Sequence, residues 1–188
     1  MKQKPIIYLD MDGVLFDFVS AFGKVLNIPN IDERLAPAVR NIAAQIGMTE
    51  DEMWEKVSHH GHHFWGKMPV YPWFHELVDL VEENSSEWYI LSSPARNSDS
   101  LKGKLESLKL MFGERFRRYI LTPNKRLLAG RNRILIDDYE RHCEEFEMNG
   151  GDAILFPRQW NINHEMADEP MHYTKKMLAR IVDENLGE

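Results

Sequence analysis

Cysteine is nearly absent: Cys143 stands alone among 188 residues, so the chain can close no disulfide within itself and gives no sign of an oxidising compartment. It lies in ERHCEEFE, on an expected helix among acids that raise a thiol's pKa, which fits a structural role rather than a nucleophile. Positive charge is also short. Lys and Arg number 23 against 30 Asp and Glu, a net charge of -7. Affinity for a polynucleotide comes from Lys and Arg on the phosphate backbone, so a long nucleic-acid partner is not expected. A small phosphate ester is not excluded, because a metal ion and one or two local cations can hold it. No apolar run approaches the roughly 20 residues of a membrane helix. The start, MKQKPIIYLDMDG, meets aspartates too early for a signal peptide. The expected location is cytoplasmic, with no membrane partner. Internal repeats and low-complexity tracts are missing as well.

What is present is ordinary for a globular protein, with 43% hydrophobic and 28% charged residues. The length allows one domain with a full core and a small insertion. Five short apolar runs, IIYL (6–9), WYIL (88–91), YIL (119–121), ILI (134–136) and AILF (153–156), read as strands. None alternates between apolar and polar residues, which suits strands buried on both faces of a parallel sheet. Helical spacing lies between them: Phe74, Leu77, Val78 and Val81; then Leu101, Leu105, Leu108 and Met111; then Arg141–Asn149, stopped by Gly150 and Gly151; then Thr174–Leu186. Strands alternating with helices predict a doubly wound α/β fold, whose ligands bind beyond the carboxyl ends of the strands. Residues 17–72 interrupt the alternation with the helical stretches VSAFGKVL, VRNIAAQIG and TEDEMWEKV. In the last, Thr49 and Glu52 have the spacing of a capping box. The expected organisation is a core of residues 1–16 and 73–188 with a helical cap at 17–72, placed to cover the site.

The chemistry sits at the strand ends. IIYL runs into Asp10, Asp12 and Gly13, where the glycine permits a turn and both carboxylates can reach one site. Such a site offers hard oxygen ligands for Mg²⁺, a nucleophile and a separate proton donor. Taken alone, the pattern equally describes a turn with solvated acids. WYIL ends at Ser92 and Ser93, whose hydroxyls and backbone N–H groups can hold phosphate oxygens. YIL is followed by Lys125, which taken alone reads as a solvated surface charge. ILI ends at Asp137 and Asp138, adjacent acids whose repulsion favours a cation beside them.

In that order, DMDGVL, the Ser92 strand end, Lys125 and the Asp137–Asp138 pair resemble the motifs of the haloacid-dehalogenase (HAD) superfamily phosphatases, over residues 6–138. The resemblance implies Asp10 as the nucleophile that becomes an aspartyl phosphate. It implies Asp12 as the acid that protonates the leaving oxygen and later deprotonates water, with Ser92 and Lys125 completing the catalytic set. It implies Mg²⁺ held by Asp10, the backbone carbonyl of Asp12 and Asp138, with Asp137 behind them.

Within the superfamily the sequence is most similar to the 5′(3′)-deoxyribonucleotidases. DMDGVLFDF places Phe18 where that family lines its base pocket. HFWGKMPVYPWF places Phe64 and Trp65 at its aromatic positions, although Pro72-Trp73-Phe74 stands where the family has Pro-Gly-Ala. Ser92-Ser93-Pro94 with Arg96 resembles its second motif, with Ser93 and Arg96 on the phosphate; an arginine grips it in a planar, two-pronged way. The implied substrate is a small-molecule nucleoside monophosphate, its base stacked in an aromatic slot worth about 1–3 kcal/mol. Members of that family are often dimers, which leaves a homodimer open. A phosphatase for another small ester, and a silent relative that binds a nucleotide or a protein, are the rival readings. His59, His60, His62 and His63 form a histidine cluster whose spacing matches no usual zinc site and which lacks cysteine partners; polar lid residues are expected. RQWNINHEMADEP, after Pro157, carries no motif.

Overall fold

The continuous apolar runs pair into a buried sheet. The computed structural model describes residues 3–187. Its strands are β1 (Ile6–Leu9), β2 (Glu87–Ser92), β3 (Tyr119–Leu121), β4 (Arg133–Asp137) and β5 (Asp152–Leu155), all parallel, in the order β3-β2-β1-β4-β5. Ile7, Leu9, Ile90, Leu91, Ile134, Leu135 and Ile136 are wholly shielded, as strands covered by helices on both faces require. β1 is central, and the chain pairs β2 on one side of it and β4 on the other. The crevice for a ligand in such a sheet opens there, at the carboxyl ends.

The helices are α1 (Phe18–Leu26), α2 (Ile42–Gln45), α3 (Glu50–His59), α4 (Gly61–Gly66), α5 (Phe74–Asn84), α6 (Ser98–Phe112), α7 (Glu140–Met148) and α8 (Pro170–Gly187). Among the described residues no helix is long and apolar enough to cross a membrane. The doubly wound α/β architecture expected from the sequence is the one observed. The fifth apolar run is displaced: Phe156 lies one residue beyond β5, its N–H donated to the Asp137 carbonyl at 2.8 Å.

Residues 17–72 contain α1 to α4. The capping box forms: Thr49 Oγ1 accepts the Glu52 N–H at 3.2 Å, and Glu52 accepts the Thr49 N–H at 2.7 Å. Of VRNIAAQIG only the four residues of α2 are helical, begun by the Asn41 side chain accepting the Ala44 N–H at 2.9 Å. HHFWG, which has no helical periodicity, becomes α4.

α4 lies directly on α6, and the contact corrects the sequence reading of α6. The expected face was Leu101, Leu105, Leu108 and Met111. The buried stripe is instead Ser100, Gly103, Lys104, Ser107 and Leu108, and Leu101 is exposed. Small residues face α4 because the backbones touch. A Cβ at Gly103 would lie 2.3 Å from the His62 carbonyl oxygen and 2.5 Å from the Trp65 Cβ. Gly103→Ala is therefore expected to lower stability by about 1–3 kcal/mol, read as a fall in Tm. An unchanged Tm would show that α4 sits more loosely on α6.

Candidate active site

The end of each central strand delivers an acid or a hydroxyl to one place. The Asp10 N–H bonds to the Ile136 carbonyl at 3.0 Å, continuing the ladder one residue past β1 and fixing where its carboxylate begins. The chain then turns at Gly13, whose φ is +81° and where a Cβ would come within 2.5 Å of Asp138 Oδ2. A side chain there would strike the acid pair. Asp10, Asp137 and Asp138 are all buried, with one ligand oxygen from each within 4.8 Å of the others. This all-oxygen set suits a hard divalent cation such as Mg²⁺. Among the described residues it is the only such group of three, so the histidine cluster forms none. The His62 and His63 rings touch each other at 4.1 Å, and His62 lies 3.8 Å from Glu106.

Two buried lysines organise the acids. Lys125 Nζ lies 2.7 Å from Asp10 Oδ1 and 2.5 Å from Asp137 Oδ2. Asp137 also accepts the Tyr139 N–H at 3.0 Å and faces His142 Nδ1 at 3.1 Å. Its carboxylate is thus engaged away from the cavity, while Asp138 lines it. Lys104 is the second lysine, and the sequence reading missed it. From α6 its ammonium reaches Asp12 Oδ2 at 2.5 Å and donates to Ser92 Oγ at 2.8 Å. The other Asp12 oxygen, Oδ1, is buried without a hydrogen-bond partner.

Burial raises the Asp10 carboxyl from 3.8 to about 6; Lys125 opposes the rise, and Asp137, Asp138 and Asp12 add to it. For Asp137 burial also pushes upward, but Lys125 and His142 outweigh it and hold the carboxyl below the ordinary range. Burial disfavours the Lys125 ammonium, yet Asp10 and Asp137 hold its pKa above the usual value. Cys143 is buried, and burial pushes its thiol well up, consistent with a structural residue.

Beside the acids opens a cavity of about 550 Å³, whose lining includes Asp10, Asp12, Asp138, Ser92 and Ser93 together with Phe18, Met53, Trp54 and Trp65. Trp54 and Trp65 lie nearly parallel, 16° apart with centroids at 6.3 Å, and Phe18 leans on both. Phe18 and Trp65 thus reach the cavity as expected. Phe64 stands behind them, edge-on to Phe18 at 5.4 Å, and does not line it. Ser93 lines the wall, its hydroxyl donating to the Thr122 carbonyl at 3.3 Å. Arg96 is exposed and off the cavity, because the chain lines the wall only as far as Ala95 and then turns away to the Asn97 cap of α6. The buried cation beside Ser92 is Lys104 instead. Trp54 and Arg40 also lie on the wall without having been foreseen. Arg40 lies 3.3 Å from Asp138 Oδ2 and 3.8 Å from the Tyr139 ring centre.

The five-stranded parallel sheet flanked by helices is similar in fold to the Rossmann-like core of solved HAD-superfamily hydrolases. The solved structures similar to this chain bear that out for the fold. A predicted phosphatase from Clostridium acetobutylicum aligns over 97% of this chain and 100% of its own, at TM-score 0.56 and 14% identity. A HAD-superfamily hydrolase from Ehrlichia chaffeensis aligns over the same shares, at TM-score 0.56 and 13% identity. The magnesium-bound YfnB of Bacillus subtilis aligns over 81% of this chain and 86% of its own, at TM-score 0.50 and 13% identity. No protein-family model and no curated protein matches the sequence.

The Asp10 shift carries a cost in stability. The folded, metal-free protein holds a proton near pH 6 that an unfolded chain releases near 3.8. Stability from this proton is full below pH 3.8 and is lost as the pH rises through 6. The difference corresponds to about 3 kcal/mol. Asp10→Asn is expected to raise the stability of the metal-free protein at neutral pH by about 1–3 kcal/mol, measured by denaturant unfolding in the presence of a chelator. A destabilised variant would mean that the ion pair with Lys125 outweighs the burial of charge.

Proposed function

We propose that the protein is a Mg²⁺-dependent phosphatase that hydrolyses nucleoside monophosphates, deoxyribonucleotides among them, through an aspartyl phosphate on Asp10. The observation that carries this reading is the convergence of Asp10, Asp12, Ser92 and Asp138 on the wall of an aromatic cavity, with Lys125 against Asp10. Residues 17–72 act in it as the cap that supplies the aromatic wall.

Asp10 attacks phosphorus, and the P–O bond to the leaving group breaks. Lys125 holds one oxygen of Asp10, which aims the carboxylate and offsets the charge arriving on it. Ser92 and the backbone beyond it contact the phosphoryl oxygens. Lys104 holds Asp12 by Oδ2, leaving Oδ1 to give a proton to the leaving oxygen and then to take one from the water that cleaves the acyl phosphate. Mg²⁺ held by Asp10, Asp138 and the Asp12 carbonyl, with Asp137 behind them, would screen the charge between phosphate and nucleophile. The base of the nucleotide stacks on Phe18, Trp54 and Trp65, and Phe64 buttresses them.

Phosphate release from deoxy- and ribonucleoside monophosphates, a sugar phosphate and an aryl phosphate, with and without Mg²⁺, tests the reading. Metal-dependent release that favours nucleotides is expected. Release that favours other esters would discard the substrate but keep the chemistry, and no release from any would leave a silent relative. Trp54→Ala removes a half-exposed ring at little cost to the fold. It is expected to raise KM for nucleotides about tenfold, as stacking worth about 1–3 kcal/mol implies, and to leave KM for the aryl phosphate nearly unchanged. Equal effects on both would make Trp54 a structural member of the wall.

A further inference from the structure

The segment after β5, RQWNINHEMADEP, has no place in the chemistry above, yet it reaches the acid pair. The Trp160 indole N–H donates to Asp138 Oδ2 at 2.6 Å, in a buried contact. The Asn161 amide donates to the Asp138 backbone carbonyl at 3.0 Å and to the Phe156 carbonyl at 2.8 Å. Side chain and backbone of the same aspartate are therefore gripped from one segment. Trp160 is itself held. Arg158 lies against the rings of Tyr71, Trp73 and Trp160 and donates to the Tyr71 hydroxyl at 2.8 Å. Gln159 donates to the Leu35 carbonyl at 2.6 Å and accepts the Ala38 N–H at 2.8 Å. Trp160 also packs on Gly13, where a Cβ would come within 3.2 Å of its ring.

We propose that Trp160 and Asn161 are positioning residues for Asp138, orienting its carboxylate toward the cation; this role rests on the metal site of the proposed phosphatase. An indole has one N–H and accepts nothing, so it can only donate to the carboxylate. By binding Oδ2 it fixes the side-chain torsion and leaves Oδ1, which carries no hydrogen bond from the described residues, to face the metal. An unsupported aspartate would have to lose its rotational freedom each time a cation bound. Partners that orient a metal ligand in this way typically change affinity by about 10–100-fold when removed. Arg40 donates to the same Oδ2 at 3.3 Å and to the Asp138 carbonyl at 3.5 Å, longer bonds from an exposed residue in the loop before α2, so it adds charge with a weaker hold on the orientation than the buried indole.

The test is Trp160→Phe, which keeps an apolar ring while it deletes the donor and part of the ring's volume. Mg²⁺ binding is measured by calorimetry on the full chain, beside wild type and Asp138→Asn. The expected result is a Kd raised about tenfold or more, a Mg²⁺ requirement for activity raised in step, and kcat retained at saturating Mg²⁺. A purely structural role would lower Tm and kcat without moving Kd, and an unchanged Kd overturns the proposal. Wild type that takes up no Mg²⁺ would overturn the phosphatase reading and this role with it. Should Trp160→Phe fail to fold, indole ¹⁵N–¹H spectra of the wild type decide. One downfield, exchange-protected indole resonance that moves on adding Mg²⁺ supports the role, and indole signals indifferent to Mg²⁺ overturn it.

Discussion

Four carboxylates crowd the carboxyl edge of one parallel sheet, and the fold has to keep them there without a compensating number of cations. Lys125 is the constraint on which the arrangement depends, because it touches acids from two neighbouring strands, Asp10 after β1 and Asp137 at the end of β4. Groups this buried are costly to ionise. Removing one partner from such a set typically costs about 3–5 kcal/mol, so the lysine is a structural tie. Asp10 remains imperfectly compensated, as its raised pKa shows. That imbalance is what a bound cation can relieve.

A second layer of constraint joins the edge of the sheet to residues 17–72. Lys104 ties Asp12 to α6, α6 is pressed on α4 through Gly103, and α4 presents Trp65 to the cavity. On the opposite side the segment 158–161 joins Asp138 to Tyr71 and to the loop around Ala38. Charge at the strand ends and aromatic surface in the wall are therefore parts of one packed unit. The helical insertion is positioned by the same residues that position the acids.

The sheet was legible because its strands are short, unbroken apolar runs, which only a doubly covered parallel sheet buries. The acids and Ser92 were legible because they follow those runs directly. Lys104 was not, for a physical reason. A lysine at i+4 from Ser100 in a helix rich in charge reads as a solvated face, and the leucines at 101 and 105 point to the wrong stripe. Only the close approach of α4, permitted by Gly103, turns that stripe inward. Arg96 had the local sequence of a phosphate ligand but follows a loop that leaves the cavity. Phe64 belongs to the aromatic group but lies one layer back. Trp160 and Asn161 carried no pattern because Asp138, the aspartate they share, is more than twenty residues away in sequence.

The central claim is that Asp10 carries the phosphoryl group. The most direct measurement is the mass of the protein quenched in acid during turnover of a nucleoside monophosphate with Mg²⁺, followed by peptide mapping. A phosphoryl adduct on the peptide containing Asp10, lost in Asp10→Asn together with turnover, is the result this account predicts. Steady turnover with no adduct, or turnover that survives Asp10→Asn, would contradict it.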